Sequence, residues 1–404
     1  MISEVIAFFS EYSKRMALIC GLLFLILFLF KRKDVFVSFL YLLYAISFFS
    51  TSFLLAKNPT SLDPVAMIYL LLILPIFFAP FKITRKNRTL SDSAKKQLRL
   101  LADFFVALGI PAVLFYGYYA YLTITTLDLS VVRLDYSFIL PHNIFNTIFA
   151  VISTLYFIPL VLYFYFLKFD IYPKLRGILL LSTLSYPLLT LCYAGRDGIL
   201  FWAMNFVALY LLFRQDIRDK TATKRMLRVV AILVSFFVVV FMVISLARFG
   251  GSVKGPVYSF VNYMGQQSIH FSNTFGMDYW QGRGSMFSGV REMLGIGVNK
   301  LDVSDYVNLG IMDEYNVFAF FVGQVVRYYG KFGALLFAFL FMLFTRHYAT
   351  NYSKSGSVID LLIVFMLFQI PMNGVFYYRQ GIGNGDVIYT IFWLVAIIYK
   401  RIKL

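Results

Sequence analysis

The sequence predicts an all-α, polytopic integral membrane protein, and three observations predict it. Hydrophobic residues make up 60% of the 404 and charged residues only 14%, with a mean hydropathy of +0.76, far outside the range of soluble domains. The apolar residues gather into eleven stretches, most of them near the ~20 residues a helix needs to cross a bilayer. The loops between them are alternately rich and poor in Lys and Arg, so the 37 basic residues report a sidedness. A net charge of +17 placed this way belongs to a basic cytoplasmic face in contact with the lipid bilayer, not to a nucleic-acid surface. With most of the chain spent on spanning helices, residues 1–404 are expected to form a single membrane-embedded domain with one elaborated loop.

The first stretch, Met16 to Phe30, ends at Lys31, Arg32 and Lys33. Val35 to Ala56 returns, and Val65 to Phe81 leads into a strongly basic segment holding Lys82, Arg85, Lys86, Arg88, Lys95, Lys96 and Arg99. Leu100 to Thr125 and Ile148 to Leu167 come next, the latter closed by Lys168, Lys174 and Arg176. Ile178 to Tyr193 and Ile199 to Phe213 are joined by a very short turn, and Arg214, Arg218, Lys220, Lys224, Arg225 and Arg228 precede or open the eighth stretch, Met226 to Ala247. Phe332 to Thr345 is followed by Arg346 and Lys354, then come Ser357 to Val375 and Val387 to Tyr399, with Lys400, Arg401 and Lys403 at the end. The positive-inside rule turns these basic segments to the cytoplasm, which makes the C-terminus cytoplasmic and, with an odd count, the N-terminus external. Met1 to Ser13, apolar but interrupted by Glu4 and Glu11, reads as an interfacial helix or as a twelfth, short crossing. It lacks the basic start and small-residue cleavage site of a signal peptide.

Cys20 and Cys192 lie in or at the edge of apolar runs, which argues against a disulfide framework or a thiolate metal site. The three histidines have no ligand spacing, so no metal and no cofactor are expected. Gly282-Arg283-Gly284 and Gly295-Ile296-Gly297 lack the strand-to-helix setting of a nucleotide-binding loop. External loops are mostly short, with one large exception, residues 248–330, which has room for short helices, and a connection of that length is usually functional. Its first part carries Arg248, Lys254, Arg283 and Arg291 against Asp278; its second carries Glu292, Asp302, Asp305, Asp313 and Glu314 against Lys300 and Arg327. Two readings of this polarity stand: an anion site beside a proton-accepting carboxylate, or two halves that pair on a solvated surface.

Arginines at external helix ends run against the positive-inside rule and so draw notice. Arg196 sits in the turn Ala194-Gly195-Arg196-Asp197-Gly198, Arg248 ends the eighth stretch, Arg327 precedes the ninth, and Arg379 follows the tenth. A guanidinium fork grips phosphate oxygens bidentately and stays charged at any working pH, which suits a lipid phosphate or pyrophosphate headgroup. The competing reading is that each arginine snorkels to the interface or pairs locally, as Arg196 with Asp197. His347 lies on the cytoplasmic side, whereas His142 and His270 are external and are candidates for a general base. Tyr258, Tyr263, Tyr279 and Trp280 suit sugar stacking or, more commonly, interface anchoring.

Three local elements carry a resemblance. They are the turn Tyr193-Ala194-Gly195-Arg196-Asp197-Gly198, the glycine-punctuated re-entry Val325-Val326-Arg327-Tyr328-Tyr329-Gly330-Lys331-Phe332-Gly333-Ala334, and the late Tyr378-Arg379-Gln380-Gly381. With the layout of apolar stretches and one long external loop, the chain resembles the Wzy-type O-antigen or oligosaccharide repeat-unit polymerases of bacterial envelopes. That resemblance implies a GT-C type membrane glycosyltransferase of the bacterial inner membrane that needs no metal. The implied donor is a growing glycan on undecaprenyl pyrophosphate and the implied acceptor a lipid-linked repeat unit, with a chain-length regulator and a flippase as partners.

On that reading Arg196, Arg248, Arg283 and Arg379, with Arg327 a further candidate, bind the pyrophosphate, and His270, Asp278 or Glu292 is the base. Two other activities share the chemistry. An O-antigen ligase uses the same donor, and a lipid-linked oligosaccharide flippase also needs arginines for the headgroup. A transporter, however, is expected to bury charges along its path and to show related halves. The apolar stretches hold few charges beyond Asp103, Arg228 and Asp360, which favours an enzyme acting at the external face.

Overall fold

A computed structural model describes residues 2–57, 60–83, 90–126, 140–217, 220–249, 254–275, 288–295, 320–377 and 385–402 of the chain. Every regular element among them is a helix. In chain order they are α1 (Ile2–Phe30), α2 (Val35–Lys57), α3 (Pro64–Phe78, prolonged by a 3-10 turn), α4 (Asp92–Thr126), α5 (Ile144–Thr154), α6 (Phe157–Phe169), α7 (Pro173–Ser182) and α8 (Ser185–Leu191). There follow α9 (Asp197–Phe213), α10 (Lys220–Phe249), α11 (Lys254–Phe275), α12 (Ser288–Met293), α13 (Phe320–Ser355), α14 (Val358–Asn373) and α15 (Gly385–Ile402). Five segments are long and apolar enough to cross a membrane: Glu11–Phe30, Val35–Lys57, Pro64–Phe81, Asp92–Thr126 and Phe320–Ser355. The bent pair α5 and α6 makes a sixth if it counts as one span.

All eleven predicted stretches fall mainly on helices, but four places depart from the expected pattern. Met1 to Ser13 is not an element of its own, because from Ile2 onward it is continuous with α1. Glu11 does not break that helix, since Arg15 and Lys14 lie one turn away and pair with it. The fifth and sixth stretches are each broken. Pro159 has no N–H for the carbonyl of Leu155 and Pro187 none for that of Thr183, so the chain bends 48° between α5 and α6 and interrupts itself between α7 and α8. The long loop is only partly a loop, for it contains the 22-residue α11. Its apolar residues recur as Met264, Phe271 and Phe275, one helical stripe hidden in a polar composition.

The chain divides into two compact units, residues 1–86 with 258–404 and residues 87–257. In the first, α1 lies along α2, and Phe24 stacks near Tyr44 and Phe48 while meeting Phe78 edge-on. Phe36 stacks on Phe368 of α14 at 4.2 Å. Lys400 of α15 reaches the buried Asp360 at the start of α14. In the second unit α4 packs on α7 and α8, and α6 on α7 and α9. Its centre holds Tyr156 stacked on Tyr186 at 4.5 Å, with Asn205 Nδ2 donating to Tyr156 Oη at 2.7 Å and Trp202 Nε1 to Thr183 Oγ1 at 2.8 Å. Lys168 and Asp216, both largely buried, form a 2.8 Å ion pair that ties the end of α6 to the turn after α9.

Candidate functional site

Within the first unit, α11 is built into the end that the charge pattern predicts to be external. It crosses α2 at Gly265, where an added Cβ would lie 2.6 Å from the Ser50 carbonyl carbon and 2.7 Å from the Thr51 nitrogen. That close approach lets Ser47 Oγ donate to the Met264 carbonyl and Thr51 Oγ1 to the Gly265 carbonyl, both at 2.7 Å. Further along, the Asp63 N–H donates to Ser272 Oγ at 2.6 Å, and Phe271 and Phe275 pack against Tyr69. Two lysines flank the helix over aromatic rings: Lys57 Nζ 4.9 Å from the Tyr258 ring centre and Lys331 Nζ 4.5 Å from that of Phe275. His270, half-buried, is therefore carried by a docked helix rather than by a free loop.

α13 is two helical arms joined at Gly330, whose φ of 70° and ψ of 175° only glycine adopts readily. The second arm, 331–355, is the long apolar one. The first arm, 320–329, starts deep in the unit: Phe320 stacks on Tyr44 at 5.3 Å, and Phe321 lies edge-on to Phe77 at 4.7 Å. From there it runs back to Tyr329, which stacks on Phe337 beside the reversal. Tyr69 Oη donates to the Lys331 carbonyl at 2.6 Å, so the reversal lies at the same end of the unit as Phe271 and Phe275. Arg327, half-buried, sits on this arm one turn before the reversal. His270 and Arg327 thus occupy one end of one unit.

Arg196 belongs to the second unit. It precedes α9 in a turn that folds tightly on Thr190: the Gly195 N–H donates to the Thr190 carbonyl at 2.8 Å, and Ala194 has φ 48°. A Cβ at Gly198 would collide with the Thr190 side chain. Gly198→Ala is therefore expected to cost about 1–3 kcal/mol, read by thermal unfolding, and Thr190→Ala in the same chain should recover much of the loss. If Gly198→Ala unfolds like the unaltered protein, the packing of this turn is looser than described.

Arg248 ends α10 and Glu292 lies in α12, with only their backbones described, while Asp278, Arg283 and Arg379 fall outside the described residues. Arg291, the basic neighbour of Glu292, is half-buried in α12, whose Val290 N–H reaches Asp386 Oδ2 at 3.4 Å, a contact that ties α12 to the start of α15. Sequence reasoning did not single out Asp386, nor the buried amides Gln267, Gln324, Gln369 and Asn373. The last two had a signal: polar residues four apart in an otherwise apolar stretch. Among the described residues no group of three or more His, Cys, Asp or Glu is placed to hold a metal. Compared with protein-family models, curated proteins and solved structures, the chain matches none.

Proposed function

We propose that this chain is a membrane-embedded glycosyltransferase that joins lipid-linked oligosaccharide repeat units, taking the growing glycan from a polyprenyl pyrophosphate at the external face. The proposal includes eleven crossings of a bacterial inner membrane, an external N-terminus and a cytoplasmic C-terminus. The observation that carries it is the meeting of α11, with His270, and the re-entrant arm, with Arg327, at the end of the first unit that the charge pattern assigns outside. In the reaction the acceptor hydroxyl oxygen bonds to the anomeric carbon while the bond from that carbon to the pyrophosphate oxygen breaks. Pyrophosphate leaves with the electron pair, and a guanidinium group such as that of Arg327 stabilises the charge it gains. The hydroxyl proton passes to His270, Asp278 or Glu292.

A lipid-linked oligosaccharide transporter is the second reading. It is favoured by the break in α13 and by an arm that starts inside its unit, since discontinuous helices of this kind line substrate sites in transporters. The test is deletion of the gene in its host, with surface glycans run on a gel. A core bearing a single repeat unit in place of a ladder supports the polymerase. Loss of even that unit moves the assignment to a ligase or a transporter, and an unchanged ladder overturns the glycan reading. Complementation with Arg327→Ala should lower polymer by roughly 10²–10³-fold at normal membrane abundance. Arg327→Lys should restore little, because it keeps the charge and loses the fork.

A further inference from the structure

Inside the first unit two helix ends meet head to tail. α14 stops at Asn373, past Pro371, whose carbonyl accepts from Tyr44 Oη at 3.0 Å and so places this end beside the middle of α2. The first arm of α13 begins at the same level, where the Phe321 N–H donates to the Gly374 carbonyl at 2.9 Å. The C-terminal end of one helix thus faces the N-terminal end of another within the protein, not at its surface.

Three amide side chains flank this junction. Gln369 and Asn373 are four apart on one face of α14. Gln324, three residues after Phe321, shares its face and leans back toward the start of the arm. They are 0%, 1% and 7% exposed. Gln324 Oε1, Asn373 Oδ1 and both polar atoms of Gln369 have no hydrogen-bond partner among the described residues. Orphaned buried groups of this kind carry a desolvation cost unless something pairs with them.

The chemistry of the orphans narrows the partner. Acceptor oxygens call for donors, which excludes an anion. Gln369 Nε2 calls for an acceptor, which disfavours a bare cation, as does Arg327 one turn further out. A hydroxyl both donates and accepts. We propose that the junction between α14 and the re-entrant arm binds the hydroxyl groups of a sugar residue, that of a lipid-linked glycan, with Gln324, Gln369 and Asn373 as its hydrogen-bonding side chains. Arg327 lies one turn further along the same arm, so a sugar held at the junction would sit beneath a pyrophosphate held by that arginine. The inference rests on the glycan reading for the ligand's source, and its test needs no polymerisation.

The full chain, purified in detergent, is titrated with a panel of methyl glycosides and with a short-chain prenyl pyrophosphate sugar while thermal unfolding is followed. At least one methyl glycoside should raise Tm saturably by about 2 °C or more, above the unsaturable rise that any sugar gives as an osmolyte. Gln369→Leu and Asn373→Leu should lose the saturable part and keep the osmolyte part. Both should fold with Tm unchanged or higher, because an unpaired buried amide is exchanged for an apolar group of similar shape. Gln324→Met gives the same readout if either fails to fold. The prenyl pyrophosphate sugar should bind more tightly than the methyl glycoside, with Arg327→Ala closing the gap. Absence of any saturable shift, or its survival in the variants, overturns the site and leaves the amides to buried water; equal affinity for both probes overturns the lipid-linked source. Saturable binding together with an unchanged glycan ladder on gene deletion would uphold the sugar site and sink the transferase.

Discussion

Lys400→Met should cost the protein about 3–5 kcal/mol, because it strands a carboxylate inside the first unit. Asp360 is 1% exposed in the first turn of α14, and Lys400, forty residues on, donates to its Oδ1 from α15 while lying 5.2 Å from the Tyr348 ring centre. Without the lysine, Oδ1 loses its cation, and among the described residues Oδ2 keeps a 3.3 Å hydrogen bond from Ser355 Oγ. The helix N-terminus offsets a part of that loss. Asp360→Asn in the same chain removes the stranded charge, so the double variant should be clearly more stable than Lys400→Met alone. Thermal unfolding of both variants in detergent decides it. A single variant within ~1 kcal/mol of the unaltered protein would mean that the pair behaves like a solvated surface bridge.

Gly265→Leu should detach α11. The α2 backbone at Ser50 and Thr51 leaves no room for a Cβ, and backbone cannot rotate away as a side chain can. Accommodating even the first carbon separates the helices and breaks the hydrogen bonds from Ser47 and Thr51 to the α11 carbonyls. The expected loss is about 3 kcal/mol or more. Hydrogen exchange of residues 254–275 reads it locally: their amides should exchange far faster in Gly265→Leu and unchanged in Asn262→Ala, whose side chain is exposed. On the proposed function, polymer should disappear as His270 loses its place. Protection of α11 in Gly265→Leu equal to that of the unaltered chain would show that the crossing is not what holds the helix.

The helical class was legible because apolar runs of spanning length and alternating loop charge are local properties of the chain. The turn before α9 was legible too, as Gly195 and Gly198 bracket Arg196, whereas Pro159 and Pro187 did not by themselves mark the breaks, since Pro75, Pro111 and Pro371 lie inside continuous helices. The composition of residues 248–330, rich in Gly, Ser, Asn, Tyr and Gln, read as a loop with short helices at most and hid the length of the 22-residue α11. That helix is held by a crossing with residues more than two hundred positions away, and no local pattern encodes such a partner.

By itself the sequence determined where helices can form, which ends of them carry charge, and which residue types are available for phosphate chemistry, since these follow from side-chain hydropathy and backbone preference along a few turns. Only the tertiary structure decided that α13 reverses at Gly330, that His270 and Arg327 share one end of a unit, and that Lys400 finds Asp360. It alone places three orphaned amides at one helix junction. Those outcomes depend on close approach and on the pairing of buried polar groups between segments far apart in the chain, and such energies exist only once the helices have packed.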